Sequence, residues 1–356
     1  MKIYLVGGAV RDSLLGLPFH ERDWLVVGAT KEELADKGYK QIGKDFPVFL
    51  HPETKEEYAL ARKERKTGAG HKAFSFEFDK NVSLEEDLER RDITINAIAQ
   101  DDEGNFIDPY NGCKDIEDKI IRKVSKAFKE DPLRVLRVAR FSAKLKKLGF
   151  TIEEGTKKEI RDIVNSGELK TLSKERIWME THKALETDNP ETYFDVINEC
   201  GALNQICPLN SIDTNYLSKA GKEETDTSFR WACLVSPSSL VEEINNSFNA
   251  PKEFKEISVI CNQIITFKGL DSISAEDIIE LANKTDIYRK EERFLKAAEA
   301  STFCTQNNSK KELNWKNLVK CINDIKASPD LKEGKLIAEK LKEDRLEAIQ
   351  LYLSKL

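Results

Sequence analysis

IYLVGGAVRD, residues 3–12, is the stretch that decides the fold of this sequence. Its apolar first half predicts a short strand, and the glycine pair predicts a tight turn into a helix that continues through Leu15. Glycines at such a turn let backbone amides approach a phosphate closely, and the N-terminus of the helix adds a favourable dipole. Arg11, one turn into the helix, can reach the same phosphate. The stretch is therefore either a phosphate-binding turn or simply a tight turn.

Two carboxylates stand before the next predicted strand, which covers residues 24–27. The two-residue period of a strand puts Glu21 and Asp23 on one face, where their charges repel unless cations lie between them. Two-metal nucleotidyl transfer needs oxygen ligands of this kind, because one ion activates a hydroxyl and the other steadies the leaving pyrophosphate. The alternative is a solvated loop. The glycine turn and Arg11, one short helix earlier, favour the metal site.

The remaining sequence up to residue 124 has the pattern of an α/β domain. Two capping boxes, at Thr30 and Ser83, predict helices, and the second helix is predicted to run through Ala99. A polar segment with two glycines, residues 63–72, is predicted to be mobile. Further strands are predicted at residues 48–50, 58–62 and 74–78.

Two arginines occupy the apolar stripes of predicted helices. Arg91 falls inside the stripe of the helix that starts at Ser83, and a guanidinium there needs a partner. Arg134 begins the stripe of a helix whose start is marked by Asp131 at the N-cap and Pro132 at the first position. A basic line lies beside that stripe and is formed by Arg137, Arg140, Lys144 and Lys147.

The composition argues against several classes of protein. With 57 Lys and Arg against 63 Asp and Glu, the net charge is −6, which argues against a uniformly basic binding surface; a local patch remains at residues 134–147. The longest apolar stretch, residues 3–10, is far shorter than the ~20 residues of a membrane span. The 7 cysteines are widely spaced and form no Cys-x-x-Cys pair, which is typical of a reducing compartment. We therefore expect a cytoplasmic protein.

Six motifs resemble, in their order, those of class II tRNA nucleotidyltransferases, the CCA-adding enzymes of the polymerase-beta-like nucleotidyltransferase superfamily. The resemblance is closest to the bacterial branch, covers about the first 200 residues and continues as a weaker echo at residues 334–349. The motifs are GGAVRD at 7–12, LG at 15–16, ERD at 21–23, RRDITINA at 90–97, EDPLR at 130–134 and ERIW at 175–178. Bacterial poly(A) polymerases share most of them.

This resemblance implies an α/β N-terminal nucleotidyltransferase palm of the polymerase-beta-like type, followed by an all-α neck, body and tail. The expected boundaries are 1–124 for the head and palm, 125–203 for the helical neck with its nucleotide-selecting helix, and 204–356 for the tRNA-binding body and tail. The implied reaction is template-independent addition of C, C and A to the 3′ end of tRNA, from CTP and ATP with release of pyrophosphate. Magnesium is the implied cofactor, and no obligate protein partner is implied.

The resemblance also implies a role for individual residues. Glu21 and Asp23 are the expected catalytic residues and magnesium ligands. Arg176 is expected to stabilise the neck rather than to act in catalysis, and Lys144 to contact the tRNA backbone or only water. The expected nucleotide contacts are Gly8 and Arg11 on the triphosphate, Arg91 elsewhere on the nucleotide, Asp92 and Asn96 on the sugar, Asp131 and Arg134 on the base edge, and Arg137 and Arg140 on the nucleotide or RNA.

Several of these assignments have a purely structural alternative. Arg91 could form an ion pair with Glu85 or Asp92, and Asp131 could serve only as an N-cap. Arg137 and Arg140 could belong to a solvated basic face.

The sequence departs from the family pattern at two points. The first residue of the metal motif is usually Asp but here is Glu21, whose extra methylene extends the carboxylate by about 1.5 Å. The bacterial branch often carries a C-terminal HD phosphohydrolase domain, whereas here no histidine is followed by Asp or lies beyond His182, so we expect no such metal site. Two alternatives to CCA addition stay open: a bacterial poly(A) polymerase, and a catalytically impaired tRNA-binding homologue.

Overall fold

The chain forms two compact units, Met1–Ile206 and Cys207–Leu356. Helices and strands alternate in the first unit, whereas the described residues of the second unit form helices. The computed structural model describes residues 1–19, 21–42, 48–66, 74–77, 80–223, 225–270, 272–305, 313–326 and 334–355, with the backbone alone for residues 63–66 and 74–77.

The described residues of the first unit form a seven-stranded mixed sheet and two small two-stranded sheets. The strands are β1 Lys2–Val6, β2 Asp23–Val27, β3 Lys40–Ile42, β4 Val48–Leu50, β5 Glu57–Leu60, β6 Lys63–Lys66, β7 Phe74–Glu77, β8 Ala99–Gln100, β9 Phe106–Ile107, β10 Ile120–Ile121 and β11 Thr151–Ile152. The large sheet has the order β3-β4-β5-β2-β1-β8-β9. Within it β2 and β5 run parallel, and the other neighbours are antiparallel.

Helices cover both faces of this sheet and continue into the neck. They are α1 Gly8–Leu14, α2 Lys31–Asp36, α3 Leu84–Glu89, α4 Gly112–Glu117, α5 Leu133–Leu145, α6 Glu154–Ser166, α7 Lys174–Leu185, α8 Glu191–Glu199 and α9 Leu203–Ile206. Alternate residues of the strands point to opposite faces. Tyr4 and Val6 of β1 therefore pack in one apolar cluster with Leu88 of α3, whereas Leu5 packs on the other face with Val10 of α1. Burial on both faces fixes the register of β1.

The local signals of the sequence are confirmed for most of these elements. The capping boxes at Thr30 and Ser83 both form, and the strands β1, β2, β4, β5 and β7 lie where they are predicted within two residues at either end. Residues 63–66 of the segment predicted to be mobile form β6, which pairs with β7. Residues 67–72 lie outside the described residues.

One predicted helix is wrong in length. Helix α3 ends at Glu89, ten residues before the predicted end at Ala99. The chain leaves the helix because Ile93 pairs with Lys123 in an isolated β-bridge and the Thr94 amide donates to the Arg122 carbonyl. These long-range bonds replace the helical ones and turn residues 90–96 toward the sheet.

The second unit packs its helices around an apolar core of its own. They are α10 Asn215–Lys222, α11 Thr227–Val235, α12 Val241–Ser247, α13 Lys252–Lys268, α14 Ala275–Thr285, α15 Glu291–Cys304, α16 Trp315–Asp324 and α17 Gly334–Leu353. The core includes Ile264, Phe294 and Val319, which have no exposed surface. Among the described residues, no helix is both long and apolar enough to cross a membrane. The predicted order of an α/β head followed by helices is confirmed.

Candidate active site

A cavity of about 540 Å³ in the first unit brings most of the predicted site residues together. Among the described residues, its lining has a strong excess of positive charge, and the arginines belong to segments far apart in sequence. The charged residues of the lining are Arg11, Arg62, Arg90, Arg91, Arg134, Arg137, Arg140, Arg176, Asp23, Glu57, Asp92 and Asp131. The cavity is therefore suited to an anion that also carries polar groups.

The glycine turn forms one end of this cavity. Gly7 has φ +75° and ψ −134°, a conformation that side chains rarely allow, and α1 begins at Gly8. A Cβ atom on Gly7 would lie 3.0 Å from Nη1 of Arg91 and 3.7 Å from Oδ2 of Asp23. The glycine is required both by its backbone angle and by the close approach of these two side chains.

Gly7→Ala is expected to lower kcat/KM about tenfold or more, because the new methyl group must displace the Arg91 guanidinium beside Asp23. Gly16→Ala is the matched control: Gly16 also has a positive φ, +67°, but no described atom within 4 Å of its Cβ position. Both variants carry backbone strain of ~1 to 3 kcal/mol. Thermal unfolding and steady-state kinetics separate strain from displacement, and equal activities in the two variants would contradict the steric argument.

Asp23 lies at the first position of β2 and lines the cavity, whereas Glu21 is exposed and lies outside the lining. The protein around Asp23 partly desolvates its carboxylate and raises its pKa; the Arg91 guanidinium opposes this rise, and the charge of Glu21 adds to it. The two carboxylates therefore repel each other, as the sequence predicts. The pair is not on one strand face, however, because β2 begins only at Asp23.

A carboxylate on the neighbouring strand also lines the cavity, beside Asp23. Glu57 is the first residue of β5 and is the register partner of Asp23 in the parallel β2–β5 ladder. Its position has the same sequence signal as Asp23, a carboxylate directly before an apolar strand, but the predicted strand began one residue later. Within the described part of the chain, no group of three Asp, Glu, His or Cys side chains is arranged to hold a metal ion.

Arg91 is held beneath the glycine turn by a buried carboxylate. Its Nη2 lies 3.5 Å from Oδ2 of Asp87, which has no exposed surface, and its Nη1 donates to the Asn96 carbonyl at 3.3 Å. The ion-pair partner of Arg91 is therefore Asp87. The structural alternative predicted from the sequence, an ion pair with Glu85 or Asp92, names the wrong partner. The Nε of Arg91 is buried and has no hydrogen-bond partner among the described residues. Arg91 is also part of the cavity lining.

Asp92 and Asn96 form a hydrogen-bonded pair in the middle of the cavity wall. Asn96 Nδ2 donates to Oδ1 of Asp92 at 3.0 Å, and Asn96 Oδ1 accepts from Nη1 of Arg11 at 2.6 Å. Both Nε and Nη2 of Arg137 lie 2.7 Å from Oδ2 of Asp92. Burial raises the pKa of Asp92, but Arg137, the Asn96 hydrogen bond and Arg134 outweigh it and hold the pKa well below its usual range. Asp92 is therefore an anionic acceptor.

Asp131 and Arg134 lie at the start of α5 and belong to the same cavity lining as the glycine turn. Oδ1 of Asp131 accepts the backbone N–H of Leu133, the first residue of α5, at 3.1 Å. The N-cap position is Pro132, one residue later than predicted, and the Asp131 side chain satisfies an N–H of the first turn from just before it. Its Oδ2 accepts from Nη2 of Arg176 at 2.8 Å. Arg134 donates to the carbonyls of Ala127 and Arg90 at 2.6 and 2.5 Å. Both side chains are held in fixed orientations.

The basic line of α5 is neutralised in part by a buried glutamate. Arg140 Nε donates to Oε2 of Glu180 at 2.5 Å, and Nη1 of Arg137 lies 3.7 Å from Oε1 of the same residue. The guanidinium carbons of Arg140, Arg11 and Arg137 lie 4.2, 5.1 and 5.6 Å from the ring centroid of Phe141. Arg137 and Arg140 thus belong to the cavity wall and are not a solvated basic face.

Comparisons with known proteins identify the family of this chain. The family models "Poly A polymerase head domain" and "Probable RNA and SrmB- binding site of polymerase A" match residues 3–122 and 149–211. A CCA-adding enzyme of Pseudomonas putida (strain F1) is 41% identical over 367 residues and covers 99% of both chains. The chain belongs to the CCA-adding enzyme family.

Two further similarities place the whole chain in the CCA-adding family. A multifunctional CCA protein of Vibrio campbellii is 45% identical over 334 residues, with 82% of each chain covered. A solved tRNA nucleotidyltransferase, complexed with a primer tRNA and an incoming ATP analog, is 25% identical, covers 97% of this chain and 96% of its own, and has a TM-score of 0.61. The resemblance predicted for about the first 200 residues is confirmed, and the similarity extends over nearly the full length of the chain.

Membership of this nucleotidyltransferase family implies dependence on a divalent metal ion. Asp23 in the cavity lining and the exposed Glu21 fit such an ion in their chemistry, because hard divalent cations prefer carboxylate oxygens as ligands. Burial and the charge of Glu21 raise the pKa of Asp23, so the surroundings of this carboxylate disfavour its charged form.

Proposed function

We propose that this member of the CCA-adding family adds C, C and A in turn to the 3′ end of tRNA, from CTP and ATP with release of pyrophosphate. The observation that carries the proposal is a single cavity in which Asp131 and Arg134 share a wall with the glycine turn and Asp23. Base recognition and phosphate chemistry can thus occur at one site. The names of the relatives, which include CCA-adding enzymes, support the same reaction.

In this reaction the tRNA 3′-hydroxyl attacks the α-phosphate of the nucleotide, and no protein nucleophile is needed. The backbone amide of Gly8 and the guanidinium of Arg11 bind the triphosphate, and Arg91 adds a further donor. Asp92 and Asn96 accept and donate hydrogen bonds at the sugar. Asp131 accepts from the exocyclic amine of C or A, while Arg134 donates to ring acceptors. Arg137 and Arg140 continue this surface toward the nucleotide or the RNA.

Glu21 and Asp23 are the proposed metal ligands, and Mg²⁺ is the proposed ion. A bound divalent ion at this position supplies charge stabilisation, lowers the pKa of the attacking hydroxyl and steadies the pyrophosphate. We also propose a cytoplasmic location, where tRNA and both nucleotides are present, and a division of the chain into a head at 1–124, a neck at 125–203 and a tRNA-binding body and tail at 204–356.

The function is tested by incubating the purified protein with tRNA that lacks its 3′ CCA, with CTP, ATP or both, and resolving the products at single nucleotides. We expect two additions with CTP alone and three with both nucleotides, because one cavity accepts both bases. Omission of the divalent metal ion is expected to abolish each addition. tRNA that already ends in CCA is the matched control and is expected to stay unextended.

Other product patterns would contradict the proposal. A long ladder of A residues on ATP alone indicates poly(A) synthesis, which the family model for the head also covers. Addition of C alone or A alone indicates a partial enzyme. Binding of tRNA without any metal-dependent incorporation indicates a catalytically impaired homologue, and Glu21 is then the first residue to revert to Asp.

A further inference from the structure

Asp12 is the last residue of the GGAVRD stretch, and the proposed mechanism does not use it. Its side chain is buried, with 5% of the residue exposed. Oδ1 of Asp12 accepts from Nε of Arg11 at 2.8 Å and lies 2.8 Å from Nη2 of the same guanidinium. Its Oδ2 accepts from Nζ of Lys144 at 2.8 Å. One buried carboxylate thus connects the guanidinium at the glycine turn to a lysine of α5.

Lys144 lies two helical turns after Arg137, on the same face of α5. A series of side-chain hydrogen bonds begins at Lys144 of α5 and ends at Arg137 of the same helix. Its members, in order, are Lys144, Asp12, Arg11, Asn96, Asp92 and Arg137. Side chains thus join α1, the 90–96 segment and α5, and the α5 backbone between Arg137 and Lys144 closes the ring.

The ring fixes the position of the Arg11 guanidinium at the cavity wall. Arg11 is 3% exposed, and its Nη1 is held by Asn96 while Nε and Nη2 face one oxygen of Asp12. A buried carboxylate oxygen left without a partner is costly. If Lys144 is lost, the Asp12 carboxylate can satisfy both oxygens by turning to a two-pronged contact with the Arg11 fork. That contact draws Arg11 away from the cavity.

We propose that Asp12 and Lys144 are positioning residues for the triphosphate, because their ion pair holds the Arg11 guanidinium at the cavity wall. This inference rests on the proposed role of Arg11 as a triphosphate ligand. The phosphate chain is common to CTP and ATP, so the effect of breaking the pair is the same for both nucleotides. Lys144 then acts through Asp12 and Arg11 and does not contact the tRNA backbone.

The test compares Lys144→Met, Lys144→Arg and Lys114→Met in the full-length protein. Lys144→Met is expected to raise KM for CTP and for ATP about tenfold, with kcat and the Kd for tRNA changed less than about twofold. Lys144→Arg keeps a cation within reach of Asp12 and is expected to stay near wild type. Lys114→Met is the matched control, because Lys114 pairs at 3.1 Å with the exposed Asp118 on the surface of the head.

Asp12→Asn provides a second variant that breaks the same ion pair with little change in shape, and it is used if Lys144→Met lowers Tm. It is expected to raise both nucleotide KM values in the same way. A rise in the Kd for tRNA with a smaller salt dependence would overturn the inference, since it makes Lys144 an RNA contact. An effect on only one nucleotide, or none in either variant, would overturn it too.

Arg11→Met separates this inference from the proposed function. If Arg11→Met leaves the KM values for CTP and ATP unchanged, the assignment of Arg11 to the triphosphate is wrong. If Arg11→Met raises both and Lys144→Met with Asp12→Asn raises neither, only the positioning role of the ion pair is wrong.

Discussion

Asp23→Asn is expected to lower the rate of nucleotide incorporation at least about a hundredfold while tRNA binding persists. A divalent ion supplies several kcal/mol of charge stabilisation in nucleotidyl transfer, and each ~1.4 kcal/mol corresponds to tenfold in rate. Asp23 is the only proposed ligand of the pair that lines the cavity among the described residues. The variant therefore removes the charge of the one proposed ligand that lines the cavity in the described part of the chain.

The same variant is expected to fold at least as stably as the wild type in the absence of metal. The pKa of Asp23 is raised, so the folded protein disfavours its charged form, and a neutral amide removes that penalty. Added Mg²⁺ is expected to raise Tm of the wild type but not of Asp23→Asn, because an ion that binds the native state stabilises it.

Asp102→Asn is the matched control for this prediction, since Asp102 is an exposed carboxylate in the turn between β8 and β9. It is expected to keep wild-type rates and the wild-type response of Tm to Mg²⁺. Asp23→Asn with more than a few per cent of wild-type activity would contradict the assignment of Asp23 as a ligand.

The elements of the head were predictable because their signals are local. The glycine turn, the two capping boxes and the cap at Asp131 each depend on residues within one helical turn of each other. The end of α3 was not predictable in this way. It depends on the bridge between Ile93 and Lys123, which lie 30 positions apart and carry no signal of their pairing.

Arg91 shows how a correct site residue can follow from a partly wrong local structure. The sequence marks it as a charge in an apolar helical stripe, but the helix has already ended at Glu89. The signal is still informative, because a guanidinium buried in an apolar segment needs a polar partner whether or not the segment is helical. Its partner Asp87 lies in the last full turn of α3, four residues earlier.

The contacts that hold the site in place were beyond the reach of the sequence. Arg176 reaches Asp131 over 45 positions, and Arg140 reaches Glu180 over 40. Asp12 and Lys144 are 132 positions apart. These pairs form because α5 packs against α7 and its side chains contact those of α1. A single sequence contains no period or spacing that indicates which helices will meet in this way.

Asp131→Asn is expected to relax the selection of C over U by about tenfold to a hundredfold. Oδ1 of Asp131 accepts from the Leu133 amide and Oδ2 accepts from Arg176, so the variant can keep an oxygen on the Leu133 amide while its new amide group takes the position of Oδ2 and gives up the bond from Arg176. A carboxylate repels the carbonyl that uracil presents where cytosine has an amine. An amide group at the same position can donate a hydrogen bond to that carbonyl.

Competition between CTP and UTP on tRNA that lacks its 3′ end measures this ratio directly, and Asp131→Ala adds the effect of losing the cap, worth ~1 kcal/mol. Thr30→Ala, which removes the cap of α2 elsewhere in the head, is the matched control for stability and is expected to leave the ratio unchanged. Asn and Asp cap helices about equally well, so a fall in the Tm of Asp131→Asn measures the loss of the ion pair with Arg176. If this variant keeps the wild-type preference for C over U, Asp131 serves only to cap the first turn of α5 and the base is read by other groups.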